Sequence, residues 1–124
     1  MAKTEADRRA PESQLPLTPT TFQILMSLVD GELHGYAIMK EVEESTAGDV
    51  RLGPGTLYGS LKRLLEAGLV AEDGERADPA MGDERRRYYR LTKFGLSVAR
   101  AEARRLDAVV RSARQKRLIA RRPA

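Results

Sequence analysis

Between Gly53 and Val70 the chain reads GPGTLYGSLKRLLEAGLV, a pattern that an amphipathic helix satisfies and a strand does not. Pro54 suits a first helical turn, Leu57, Leu61, Leu64 and Leu65 fall on one stripe, and Gly68 is placed to stop the helix in a left-handed conformation. At about 100° per residue from Leu57, the solvent side carries Gly55, Thr56, Gly59, Lys62, Arg63 and Glu66, with Tyr58 and Ser60 at its margins. A glycine inside a helix costs about 1 kcal/mol, so Gly59 implies a gain elsewhere. Two explanations stand side by side. Bare backbone at Gly55 and Gly59 lets an anion approach free N–H groups at the positive end of the helix, or it relieves crowding against the preceding helix.

The remaining elements follow from the same periodicities. Thr18-Pro19 opens a first helix carrying Phe22, Leu25, Leu28 and Val29, which Asp30-Gly31 ends. In HGYAIMKEVEEST, Tyr36, Ile38, Met39 and Val42 oppose Lys40, Glu41, Glu43 and Glu44, which predicts a second helix. After the third helix, Leu69 and Val70 lead out as a strand, and Glu72 to Glu84, with Gly74, Pro79 and Gly82, is expected as a mobile hairpin tip. RRRYYRL returns as a strand that alternates Arg87, Tyr89 and Leu91 against Arg86, Tyr88 and Arg90, with Tyr89 and Leu91 inward. Thr92 caps a last helix, in which Leu96, Ala99, Ala103, Leu106, Val110 and Ala113 form a narrow coiled-coil seam.

Three helices, a hairpin and a long helix define a mainly α chain with a small β-hairpin: a winged helix-turn-helix with a C-terminal dimerisation helix. The expected boundaries are a disordered tail over 1–16, the winged helix-turn-helix over 17–91, the dimerisation helix over 92–118 and a basic tail over 119–124.

Composition removes other classes. The 124 residues include no cysteine and one histidine, so no disulfide or zinc ligand set is available. No nucleophile and base, paired carboxylates or phosphate loop can be assembled, so neither catalytic residues nor a metal or cofactor is expected. The charged N-terminus lacks the apolar centre of a signal peptide and no apolar run approaches the roughly 18 residues of a membrane span, so a soluble cytoplasmic protein is expected. The net charge of +4 is unevenly placed: Arg100 to Ala124 carry +7 and residues 1–99 carry −3. Basicity by itself therefore says little about nucleic acid, and the position of the charges decides.

The ordered set LHGYAIMKEVE, GPGTLYGSLKRLLEAGLV and RRRYYRLTKFG resembles the PadR family of transcriptional regulators, from about Leu17 to Ala113 and in the branch with a single C-terminal helix. Gly59 stands where that family often has proline after the tyrosine. The resemblance implies repressors that bind double-stranded operator DNA as homodimers and respond to a small aromatic or drug-like effector near the dimer interface. It places Thr56, Tyr58, Lys62 and Arg63 on the recognition helix toward DNA, beside Gly55 and Gly59, with the Tyr58 hydroxyl on phosphate and Lys62 or Arg63 on phosphate or guanine.

Tyr36 either approaches the duplex backbone or packs its ring in the core, and His34 is expected as a turn residue. Arg85, Arg86 and Arg87 in the wing either follow phosphates or are a solvated face beside Asp83 and Glu84. The alanine-rich seam of the last helix would bury little alone; pairing with Phe22, Leu25 and Val29 of a second subunit enlarges it and implies a pseudo-palindromic site. The competing function is a winged helix used only for protein contacts, which would show little salt dependence toward DNA.

Overall fold

The computed structural model describes residues 9–120, so the outer parts of both expected tails, 1–8 and 121–124, lie outside the described residues. Within them run α1 (Pro19–Ser27), β1 (Leu33–His34), α2 (Gly35–Ser45), α3 (Pro54–Glu66), β2 (Val70–Ala77), β3 (Arg85–Leu91) and α4 (Lys93–Gln115), with short 3-10 turns at Pro11–Gln14 and Pro79–Met81. Three helices begin on side-chain caps: Thr18 accepts the Thr21 N–H, His34 the Ala37 N–H and Thr92 the Gly95 N–H. The exception is α3, which opens on Gly53 with no side-chain cap and with Pro54 in its first turn.

The end of α3 determines how the molecule is assembled. Gly68 sits at φ +77°, and the Leu69 and Gly68 N–H groups close back on the Leu64 and Leu65 carbonyls at 3.0 and 3.1 Å. The start of α4 then clamps this exit. The Thr92 hydroxyl donates to the Gly68 carbonyl at 2.6 Å, its N–H donates to the Leu69 carbonyl at 3.1 Å, and a Cβ on Gly95 would overlap that same Leu69 oxygen. Around this junction lies one core, drawing Leu25 from α1 and Leu28 from its C-cap, Ile38 and Val42 from α2, Leu57, Leu61 and Leu64 from α3, and Phe94 and Val98 from α4.

Several expectations are corrected. The segment from Glu72 is strand as far as Ala77, paired antiparallel with β3 and bulged between Glu72 and Glu75, where Gly74 takes φ +81°. Only 78–84 forms the tip. The hairpin is part of a three-stranded sheet of order β1-β3-β2, because Leu33 and His34 pair with Tyr89 and Tyr88. Residues 9–16, expected as part of a disordered tail, are docked on the body: the Arg9 guanidinium stacks on Phe94 at 5.1 Å and donates to the Ala67 carbonyl at 2.5 Å. Leu15 and Leu17 then pack against the core.

Two expected interface residues change place. Leu25 and Ala99, expected at the subunit interface, are 0% and 5% exposed within the protomer, so its own core has taken them. Ser60, expected at the margin of the solvent face, is also buried.

Candidate nucleic-acid interface

Burial of Leu57, Leu61 and Leu64 turns the other side of α3 outward: Gly55, Thr56, Tyr58, Lys62 and Arg63 are all exposed and Gly59 is half-buried. No heavy atom outside its own neighbourhood lies within 4 Å of where a Gly55 Cβ would be, and at Gly59 only the Arg63 guanidinium approaches, at 3.7 Å. Crowding against α2 is thereby excluded at both positions. The missing side chain at 59 leaves a shelf on which Arg63 lies, donating to the buried Ser60 hydroxyl at 3.3 Å. This bond explains why Ser60 turns inward, since its oxygen has a partner there.

The two half-exposed tyrosines sit together. Tyr36, at 50% exposure, leads α2, which rules out a core ring, and Tyr58, at 49%, lies with its hydroxyl against the backbone of Gly35. A Cβ at 35 would overlap that hydroxyl, so Gly35 is the close approach that seats α3 on the first turn of α2. His34 precedes it and is buried rather than sitting in an open turn. Its Nδ1 accepts the Ala37 N–H at 3.2 Å and its Nε2 meets Asp78 Oδ2 at 2.8 Å.

In the wing the three arginines are partnered within the sheet. Arg87 faces Glu72 and Glu75 at 3.4 and 3.5 Å, Arg85 donates to the Glu75 carbonyl at 2.6 Å, and Arg86 approaches Glu84 at 3.6 Å. Glu72, ahead of Tyr89 and Glu75, raises the Arg87 pKa above its ordinary value, so the cation is firmly charged. Burial, followed by Tyr58, pushes the Tyr89 hydroxyl up, keeping it a neutral donor. Cross-strand acids were the signal for this pairing, since Glu72 and Glu75 oppose Tyr89 and Arg87 once the register is known.

Among the expected interface residues, Phe22, Leu96, Leu106, Val110 and Ala113 are half-buried, while Val29 and Ala103 are exposed. Met26 and Val109, absent from that expectation, are 39% and 53% exposed. Glu102 was passed over as one more charge on a helix. It is 1% exposed, accepts the Leu17 N–H at 2.7 Å and pairs with Arg105. The Arg105 hydrogen bond, with the Leu17 N–H adding to it, holds the Glu102 carboxyl below the usual carboxylate range against the opposing effect of burial.

A helix-turn-helix of α2 and α3, flanked by a β2–β3 wing and backed by a long terminal helix, defines the winged helix-turn-helix class. A model of the transcriptional regulator PadR-like family matches residues 24–101, more than half of the chain, and the chain belongs to that family of transcriptional regulators. It is 32% identical over 88 residues to the transcriptional regulator Rv3488 of Mycobacterium tuberculosis, covering 71% of this chain and 76% of that one. Over 80 residues it is 40% identical to an uncharacterized 37.1 kDa protein in transposon TN4556 of Streptomyces fradiae, covering 64% of this chain but only 21% of the longer protein.

Among solved structures, a PadR family regulator from hypervirulent Clostridium difficile is similar at a TM-score of 0.65 and 26% identity, over 77% of this chain and 94% of that one. Bacillus subtilis PadR in complex with operator DNA shares the fold at a TM-score of 0.53 and 21% identity, over 88% of this chain and 51% of that one. Among the described residues no helix is long and apolar enough to cross a membrane.

Proposed function

We propose that this chain binds double-stranded DNA as a homodimer and represses transcription from a pseudo-palindromic operator. The observation that carries the proposal is the outward side of α3, where Thr56, Tyr58, Lys62 and Arg63 stand exposed around an open Gly55 and a shelf at Gly59. Exposed cations and hydroxyls beside bare backbone suit phosphate and base edges, and α3 would lead into a major groove with its N-terminal turn. Operator binding by the Bacillus subtilis relative supports the same partner class.

A twofold dimer would set two recognition helices about 34–36 Å apart. Its surface would combine Phe22 and Met26 of α1 with Leu106, Val109, Val110 and Ala113 of α4. A largely apolar cleft of about 300 Å³ opens on that same surface, lined by Leu17, Phe22, Met26 and Leu106 with Gln23, Glu102 and Arg105 as its polar side. Its position suits the small aromatic or drug-like effector that family likeness implies.

Gel shifts against fragments selected from the source genome, repeated across a salt series, test the proposal. Specific binding should fall steeply with salt, and Arg63→Ala and Tyr58→Phe should each weaken it about tenfold while the chain stays folded. If both variants bind like the wild type, the assignment of α3 is wrong. A flat salt dependence would indicate the protein-contact module instead.

A further inference from the structure

We propose that the His34–Asp78 pair is a latch that positions the wing on the helix-turn-helix, and that it thereby determines how many phosphates the wing engages; this rests on the DNA-binding function above. The geometry points to His34 because that one side chain serves two bodies at once. Its Nδ1 accepts the Ala37 N–H at 3.2 Å and so caps α2, the helix that carries Tyr36. An amide N–H requires a bare Nδ1, so the neutral ring carries its proton on Nε2. That proton is donated to Asp78 Oδ2 at 2.8 Å. Asp78 belongs to the turn between the wing strands, where its other oxygen accepts the Ala80 N–H at 3.0 Å.

The rest of the contact is arranged around this bond. His34 pairs with Tyr88 across the β1–β3 ladder, and the two rings meet edge to face at 5.3 Å. Against Tyr88 lies the Arg76 guanidinium, 3.7 Å from the ring centroid. Arg76 in turn reaches Glu32 at 3.2 Å, just ahead of β1, and the Asp73 carbonyl at 2.7 Å within the wing bulge. Next to His34, Gly35 supports the Tyr58 hydroxyl of α3. Wing, α2 and recognition helix therefore converge on residues 34 and 35. His34 is 2% exposed and the Asp78 side chain 26%, so their bond is largely shielded from competing water, unlike the exposed pairs of Arg87. A two-residue strand offers little ladder to hold a wing, so the angle of its outer part depends on side chains, the exposed Arg76–Glu32 pair and the more shielded latch.

The test separates the latch from the cap. Asparagine caps helices well but cannot span from position 34 to Asp78, so His34→Asn removes the latch and keeps α2 capped. Asp78→Ala removes the latch from the other side. Asp78→Asn keeps one acceptor oxygen, enough for the Nε2–H or for the Ala80 N–H but not for both, and is the partial rescue. Because the chain has no cysteine, spin labels at Asp83→Cys and Glu41→Cys, diluted with unlabelled protein, read the angle of the wing to α2 without DNA. The wild type should give one narrow distance distribution, Asp78→Asn an intermediate one, and His34→Asn and Asp78→Ala a broad one.

Against a selected operator, His34→Asn and Asp78→Ala should each lower the slope of log affinity on log salt by about one per wing phosphate lost, roughly eightfold in affinity at 0.1 M salt. The double variant should match either single one, as coupled partners do. A narrow distribution in His34→Asn, an unchanged salt slope, or additive losses in the double variant overturns the latch. Failure of the DNA-binding function appears separately, as a wild-type chain that shifts no duplex at any salt. The distance measurement then decides the latch alone.

Discussion

At Gly95 a missing Cβ allows α4 to begin directly against the exit of α3, since any side chain there meets the Leu69 carbonyl. Gly95→Ala is expected to lower stability by about 1–3 kcal/mol, the usual cost of overpacking. A shift of the urea midpoint at unchanged slope would show it. Glu102 gives a second residue-level expectation. Its folded pKa lies below the ordinary 4.5, so its contribution is complete above that value and is lost as pH falls through the folded one. Glu102→Gln should therefore destabilise by about 1–3 kcal/mol at neutral pH, with the gap to wild type closing in acid. Stability measured from pH 7 down to pH 3 tests the sign, and a gap that widens in acid contradicts it. Neither Ser60 nor Glu102 was legible as buried in the sequence: each bonds an arginine three residues on along its own helix, which reads as an ordinary solvated pair, and only the fold brings the Leu17 N–H to Glu102.

Among the elements, α3 was readable because its burial follows helical period and its ends carry Pro54 and Gly68. The strand β2 was not. Beyond Val70 it is largely solvated, so it lacks the alternation that betrays a half-buried strand, and its support comes from backbone pairing and cross-strand ions. The α4 seam was legible only in part, because the protomer's core takes a neighbouring face of the helix. Phe94, Val98 and Ala101 form that buried face, Ala99 lies on its border with the seam, and Ala103 faces solvent. The wing carries its own expectation. Arg87 is held by Glu72 and Glu75, and every phosphate it engaged would have to displace them. Glu72→Gln with Glu75→Gln should release it, strengthening DNA binding several-fold at low salt and steepening the salt slope by about one. Equal slopes for variant and wild type would leave Arg87 a partner of the sheet alone.

On the scale of the whole molecule, the distal part of α4 extends past the core, since its buried residues stop at Glu102. Leu106, Val110 and Ala113 remain half-buried and Val109 is 53% exposed, on a helix that has no further partner among the described residues. Beside them α1 offers Phe22 and a 39% exposed Met26. Such a surface is the apolar centre around which a second copy would assemble, with the exposed Arg104 and Arg111 at its polar rim. Val109→Glu discriminates well because that side chain contributes little to the protomer's own core, so the fold should survive the substitution. Two carboxylates brought into a desolvated dimer centre would oppose association. Sedimentation at micromolar concentration should then show a monomer. Its affinity for a single half-site should match the wild type, while affinity for the complete two-half operator should fall about a hundredfold, the loss of a tethered second contact. A Val109→Glu chain that still sediments as a dimer would place the twofold contact elsewhere on the protomer, and with it the spacing of the two α3 helices.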